Sequence, residues 1–353
     1  MTGAKISALG TENVAALSTA QIAVLKKDQL ATLSSLATRA LSTDQIGALT
    51  TTQLAAFTGT QLVGLTTAQI GAIAPTALAK VDANALKVLG SSVVAAMTTS
   101  QIAALSSVQL AALTSAQAKG LTTDQVVALT TTQMPFVSAL ALAGLSTAQT
   151  QAMETADFQR LSAIQIKALS TANVAALTTD QIAALTSTQA PALTTAQMAA
   201  LTTAQVNALT STDVKVLLGT QLQKLNADNM KVLKTEVLSA TQMGGLSAAN
   251  ISALTTAQIA ALTTAQAAGL SAANVAGLTS TQMAVLTTAD LVVIKPISLV
   301  GLQTAALANI STTDIRALTA AQIAVLTSAQ LAGLQTSQIA ALLTSQVAAS
   351  NCW

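Results

Sequence analysis

Large apolar residues recur at every eighth position along almost the whole chain. From Leu9 through Leu17, Leu25 and Leu33 to Leu233 the spacing never slips, with Phe57, Ile73, Val81 and Met97 standing in for leucine on the way. After Leu233 the next such residue is Leu238, five positions on, and the spacing then holds again to Leu342. The first run spans 28 units (233 − 9 = 224 residues) and the second 13 (342 − 238 = 104 residues). Leu254 to Leu286 shows the unit at its clearest: L-T-T-A-Q-I-A-A, L-T-T-A-Q-A-A-G, L-S-A-A-N-V-A-G, L-T-S-T-Q-M-A-V. Counting from the leucine, position 1 is large and apolar and position 2 is Ser or Thr. Position 5 is Gln, Asn or Asp, position 6 is Ile, Val, Leu or Met, and positions 7 and 8 are mostly Ala or Gly.

A hydroxyl residue followed three places later by glutamine is a capping box, and the apolar residues at positions 1 and 6 flank it as a hydrophobic staple. Leu254, Thr255, Gln258 and Ile259 form one full set, and Leu201, Thr202, Gln205 and Val206 another. Each unit therefore carries its own helix start. One continuous helix does not fit the pattern. Eight residues advance roughly 800°, so the leucine row would drift about 80° per unit and no face would stay buried. Short helices of about six or seven residues, parted by sharp corners, satisfy both the caps and the period.

A β-solenoid with Thr and Gln ladders is the competing architecture, and the charges oppose it. All 13 acidic residues fall at positions 2 to 5, among them Asp82 and Glu154 at position 2, Asp44, Asp124 and Asp180 at position 4, and Asp157, Asp213, Asp290 and Asp314 at position 5. Ten of the 15 basic residues fall at positions 7 or 8, including Arg39, Lys80, Lys119, Lys215 and Arg316. Acids at the start and bases at the end of each unit follow the helix dipole. The alanine content also favours helix over strand. The expected fold is an all-α solenoid or superhelix of about 43 very short capped helices, one per eight-residue repeat.

The expected organisation is a single array over residues 1–347, with a phase slip at 234–238 and a C-terminal tail at 348–353. The slip removes three residues and predicts a local irregularity. Three stretches keep the spacing but are expected to lose the cap: Ala74 to Ala96, Met134 to Gly144, and Ile294 to Ala308. They contain Pro75, Pro135 and Pro296. Pro75 and Pro296 sit at the first helical position, where proline is tolerated. Pro135 and Pro191 sit at position 7 and should disturb their helices. These segments are drift in a tolerant repeat, or bends and partner sites.

Composition changes the picture mostly by exclusion. Of the 353 residues 52% are hydrophobic, but aromatics are 1% and charged residues 8%, so the core is expected to be thin and aliphatic. A net charge of +2, scattered along the chain, gives no footprint for nucleic acid. No run of about 18 apolar residues exists to span a membrane. Met1 to Gly10 lacks the apolar core of a signal peptide. The chain has no His and no Tyr, and its lone cysteine is Cys352, beside the lone tryptophan, Trp353. No intrachain disulfide can form. Cys352 is a spare thiol or an intermolecular bridge, and Trp353 is solvated or docked. The carboxylates occupy capping positions, and no phosphate loop, metal-ligand cluster or activated nucleophile is present. No catalytic, cofactor-binding or metal residue is expected, and no enzyme activity.

Leu121 to Leu129, L-T-T-D-Q-V-V-A-L, is similar over nine residues to the opening of the repeats in TAL effectors. Those repeats are far longer and carry a second helix and a base-reading loop, so the likeness implies shared capping chemistry and no DNA contact. The wider pattern resembles the L-T-T-x-Q-[I/V]-x-A octapeptide arrays of large bacterial secreted and cell-surface proteins. That resemblance implies an extracellular or cell-surface scaffold. The expected role is structural, a stalk or a filament subunit that self-associates head to tail, because the first units look like the middle ones and no polar end caps are visible. The alternative is an adhesin-like module presenting Thr and Gln of positions 3 and 5 to carbohydrate or another ordered surface. An intracellular scaffold is the third reading.

Overall fold

A computed structural model describes residues 2–350. Among them are 41 α-helices and three 3-10 turns, and no strand. The helices are four to six residues long, as in Thr51–Leu54 and Thr99–Ala104. That is shorter than the six or seven the pattern suggests, and the backbone shows why. In the unit starting at Met97, the cap Thr98 is extended (φ −75°, ψ 157°), and so is Leu105, the next position 1 (φ −59°, ψ 135°). Two residues in eight are spent on the corner, which leaves six at most for the helix.

Packing divides the chain into two compact units, Met1–Ala184 and Leu185–Trp353. The eight-residue phase does not mark this boundary. Each unit is an α-solenoid built in the same way. In the first, Gly10–Ala15 packs on Ser35–Ala40, and Thr43–Gly47 on Thr67–Ala72. In the second, Ala240–Gly244 packs on Thr264–Gly269, and Ala248–Ala253 on Ala272–Gly277. All four pairs lie three repeats apart. The small residues at position 8 make this approach possible. A Cβ on Gly64 would sit 2.2 Å from the carbonyl oxygen of Ser35, and one on Gly277 would sit 2.3 Å from that of Ala248.

The core is a thin aliphatic layer made by positions 1 and 6. Leu110, Ile166 and Met198 at position 6 show no exposed surface, and position-1 leucines such as Leu161 and Leu201 are nearly as buried. Burying a side chain of this size contributes about 1.5–3 kcal/mol. Where position 6 is threonine, the hydroxyl satisfies itself: Thr38 and Thr150 donate to the carbonyls of Ser34 and Ser146, both at 3.0 Å.

The prolines behave as their positions predict. Pro75 and Pro296 open the helices Pro75–Leu78 and Pro296–Leu299. Pro135 and Pro191 reduce their units to the 3-10 turns Met134–Phe136 and Ala190–Ala192. In the stretches expected to lack caps, Ala74, Gly90, Lys295 and Gln303 make none, but one repeat in each of the first two is capped. The Asp82 carboxylate accepts from the amides of Asn84 and Ala85, and the Ser138 hydroxyl accepts from Ala141. Both caps work without a glutamine at position 5. The last helix, Thr344–Ala349, completes its unit through position 8, so the array ends two residues beyond 347. Cys352 and Trp353, with the remainder of the proposed tail from residue 351, lie outside the described residues.

The slip is a built joint within the second unit. Thr235–Val237 forms a 3-10 turn in a repeat shortened to five residues. The Lys234 ammonium donates to the carbonyls of Asn207 (2.9 Å) and Leu209. Hydrogen bonds between coils, which elsewhere span 28 residues, shorten to 25 for Gln242 to Leu217, Asn250 to Leu225 and Gln258 to Leu233. They return to 28 with Gln266 to Leu238. Three repeats thus absorb the deletion.

Replacing Lys234 by methionine keeps the stem and deletes the donor. The Lys234→Met variant should lose about 1–3 kcal/mol in urea unfolding, the cost of leaving the carbonyl of the buried Leu209 unpaired. Lys224→Met, at an exposed position, should stay within about 0.5 kcal/mol of the parent. Equal, small losses in both would show that Lys234 is an ordinary surface lysine.

Candidate functional site: the inward glutamine row

The polar side chain at position 5 begins as a capping residue. In the unit starting at Met97, the Gln101 amide donates to the Thr98 hydroxyl at 3.1 Å. The Gln101 Oε1 accepts from the Thr98 amide at 2.7 Å. That reciprocal pair is the capping box, and it recurs along both solenoids, as at Ser18–Gln21, Thr178–Gln181 and Thr319–Gln322.

The same side chain has a second task. With Oε1 held by the cap, the Nε2 group points inward at the preceding coil. Gln101 Nε2 donates to the carbonyls of Ile70 (2.7 Å) and Ile73 (2.6 Å), 31 and 28 residues back. Those carbonyls belong to position 6 of one repeat and position 1 of the next, so the amide straddles a corner. Gln109 does the same to Leu78 and Val81, and Gln330 to Leu299 and Leu302. A reach of 28 residues from position 5 to position 1 is three repeats and four residues, in step with the three-repeat spacing at which the helices pack. The position-6 carbonyl also accepts the next position-1 amide, as Ile70 does from Ile73 at 3.2 Å, but no backbone amide serves the position-1 carbonyl of Ile73, and burying it unpaired would be costly. One glutamine thus closes a helix start on its own coil and a helix end on the coil before. These glutamines are buried, Gln101 and Gln189 completely.

This geometry corrects one reading of the sequence. Glutamine at position 5 does not belong to a surface array for carbohydrate, because its amide faces inward and its hydrogen bonds are used. Threonines at position 3, such as Thr99, Thr123 and Thr203, do stand exposed.

The substitutions at position 5 follow from the length of the arm. Asparagine, one methylene shorter, keeps only the position-1 carbonyl: Asn173 donates to Leu145 at 3.0 Å and Asn229 to Leu201 at 2.9 Å. Ser298 reaches Leu270 at 2.8 Å. Where position 5 is Ala141, the cap Ser138 turns its hydroxyl to Leu113, the carbonyl a glutamine would have bound, at 3.2 Å. Aspartate can supply no donor when ionised. Asp213 and Asp290 instead accept from the hydroxyls of Thr210 and Thr287, each at 2.5 Å. Asp314 accepts from Ser311 and Thr288 at 2.6 and 2.5 Å.

The family model described as the ALTTAQ repeat matches residues 1–35, 27–59 and 150–187. Over those residues the chain matches the ALTTAQ repeat. In the numbering used here, the T-T-A-Q of that name covers positions 2 to 5, so the glutamine that ends it is the residue that ties coil to coil. No curated protein matches the chain.

Charge plays a small part in the array. Among the described residues, Lys231 and Asp228 form the one ion pair, at 2.9 Å, and both are exposed. The hydrogen bond from Lys231 holds the Asp228 carboxyl below its ordinary range, but exposed pairs of this kind contribute little. Among the described residues, no three His, Cys, Asp or Glu side chains stand close enough to hold a metal, and no helix is long and apolar enough to cross a membrane.

Gln101→Leu keeps the bulk but deletes a donor group and an acceptor that together serve two carbonyls and one amide. It should cost on the order of 2–4 kcal/mol, read as a fall in the urea or thermal midpoint. Thr99→Ala, two residues away on the exposed face, should change the midpoint by no more than about 0.5 kcal/mol. A Gln101→Leu protein as stable as its parent would remove the inward row as the tie between coils.

Proposed function

We propose that the chain is a structural scaffold without enzyme activity, a stalk or filament subunit whose coils stack head to tail between copies. The observation that carries this reading is the use of its chemistry. The repeated amides are consumed inside each solenoid, and the outward positions hold mostly small residues, hydroxyls and scattered charges, with apolar side chains such as Val24 and Ile164 among them. Such a chain invests its directional hydrogen bonding in its own architecture.

The row also has a direction, since every amide donates toward lower residue numbers. Gln21 keeps its cap to Ser18 and is exposed. At position 6, Leu331 is half-buried and Ile339 and Val347 are 37% and 40% exposed, whereas residues such as Ile166 and Met198 are wholly buried. A coil of the same repeat is complementary to both, and a heterologous contact of that kind propagates without closing. A second copy supplies such a coil. On the likeness to secreted and cell-surface arrays, we place this scaffold outside the cell or on its surface.

Sedimentation velocity over a concentration series, with negative-stain microscopy of the same samples, tests the assembly. Mass should grow with concentration and fibres should appear. Ile339→Lys with Val347→Lys should suppress both while leaving the helical dichroism unchanged. A single species of 35.2 kDa at every concentration would remove the filament reading.

A further inference from the structure

One carboxylate in the inward row has neither of the partners that its position normally supplies. Asp157 takes position 5 in the helix Thr155–Phe158, where it is 2% exposed. Its Oδ1 is buried and has no hydrogen-bond partner. At the other three aspartates of position 5, a Ser or Thr at position 2 donates a hydroxyl to the carboxylate. In this repeat position 2 is Glu154, an acid with no hydrogen to give, and the helix has no side-chain cap.

The coil before it is unsatisfied at the matching point. In the register of the row, residue 157 faces the carbonyl of Leu129, 28 residues back, as Asn173 faces Leu145. No donor within hydrogen-bonding distance serves the Leu129 carbonyl among the described residues. A carboxylate oxygen and a carbonyl oxygen repel each other, whereas a neutral carboxyl has the one hydrogen that joins them. The surroundings offer no cation in place of that proton. Residues 129–136 carry no charged side chain. The helix Thr179–Ala183, packed on the other side, brings only Asp180, which is exposed. On its own repeat Arg160 is exposed at position 8, and Glu154 is of the wrong sign.

We propose that Asp157 is a proton-operated joint between coils of the first solenoid: neutral, it donates to the Leu129 carbonyl and ties the coils; ionised, it repels that carbonyl and loosens them. Burial, reinforced by the charge of Glu154, raises the Asp157 pKa from 3.8 to about 6. The folded form then holds a proton that the unfolded chain has already lost, so stability falls as pH rises from about 4 to about 6 and stays low above that. Most carboxylates in folded proteins act in the opposite sense.

The test compares the full chain with Asp157→Asn, whose amide supplies the missing hydrogen at any pH and which the row already uses at Asn173. Hydrogen exchange of the amides from Thr155 to Leu161, corrected for intrinsic rates, is measured from pH 4.5 to 7.5. Across that range the opening constant of the parent should rise about 25-fold, the ratio set by a midpoint moved from 3.8 to about 6; that of Asp157→Asn should stay flat. Carbon-13 titration of the Asp157 carboxyl in the parent protein gives an independent reading, expected near pH 6. A midpoint near 4, or parallel exchange profiles in the two proteins, would overturn the proposal.

Discussion

A buried primary amide holds each solenoid together. A helix of four to six residues leaves most of its backbone groups without internal partners, because four amides and four carbonyls are orphaned at every helix regardless of length. A chain of such helices therefore needs an external partner for its ends at every corner. Glutamine is suited to the task, since it combines one acceptor and two donors on a planar head at the end of a three-bond arm. The acceptor turns to the cap of its own helix and the donors to the corner of the coil before. The thin aliphatic layer of positions 1 and 6 supplies the hydrophobic stabilisation, and the amides fix the register at which that layer closes.

This constraint explains the shape of the repeat. Position 1 must be large because it lies in the corner and seals it. Position 2 carries a hydroxyl or an equivalent cap in most repeats, although Ala74 and Gly90 supply none. Position 8 is glycine where it comes closest to position 3 of the coil three repeats earlier, and the 2.2 Å that would separate a Gly64 Cβ from the Ser35 carbonyl marks that limit; at Phe136 and Arg160 the same position takes a large exposed side chain. Positions 3, 4 and 7 face outward and vary. The exceptions obey the same logic. When three residues are lost at 234–238, a lysine reaches the carbonyls of residues 207 and 209. When position 5 is alanine, Ser138 reaches Leu113.

Much of this was legible in the sequence, because it is local. The capping box, the staple, the restart every eight residues, the slip and the effects of the four prolines all depend on residues within one repeat. What was not legible depends on the coil. The capping box accounts for Oε1 and the backbone amide of the glutamine, and leaves Nε2 unassigned. Whether that group meets solvent or a neighbour depends on how many repeats make a turn, a tertiary quantity that no single repeat encodes. A single repeat therefore leaves open the alternative of a surface ligand array, whereas the glutamine row lies inside. A signal was present in the replacements at position 2. Gln221, Gln338 and Gln346 persist at position 5 although position 2 is Leu218, Gln335 and Leu343, none of which offers a hydroxyl, and a residue kept only for a capping box would not be required there. The unpaired state of Asp157 was hidden for the same reason, since Leu129 is its neighbour only through the coil.

The central claim is that the glutamine Nε2 protons are locked between coils. Hydrogen exchange of the side-chain amides, followed by two-dimensional nitrogen-15 spectroscopy with residue assignments, reads this directly. Gln101, Gln109 and Gln330 should exchange as slowly as the helical backbone beside them, while Gln21, exposed at the edge of its solenoid, should exchange at the rate of a free amide. If all four exchanged at that free rate, the coils would be held by apolar packing alone and the account would be wrong.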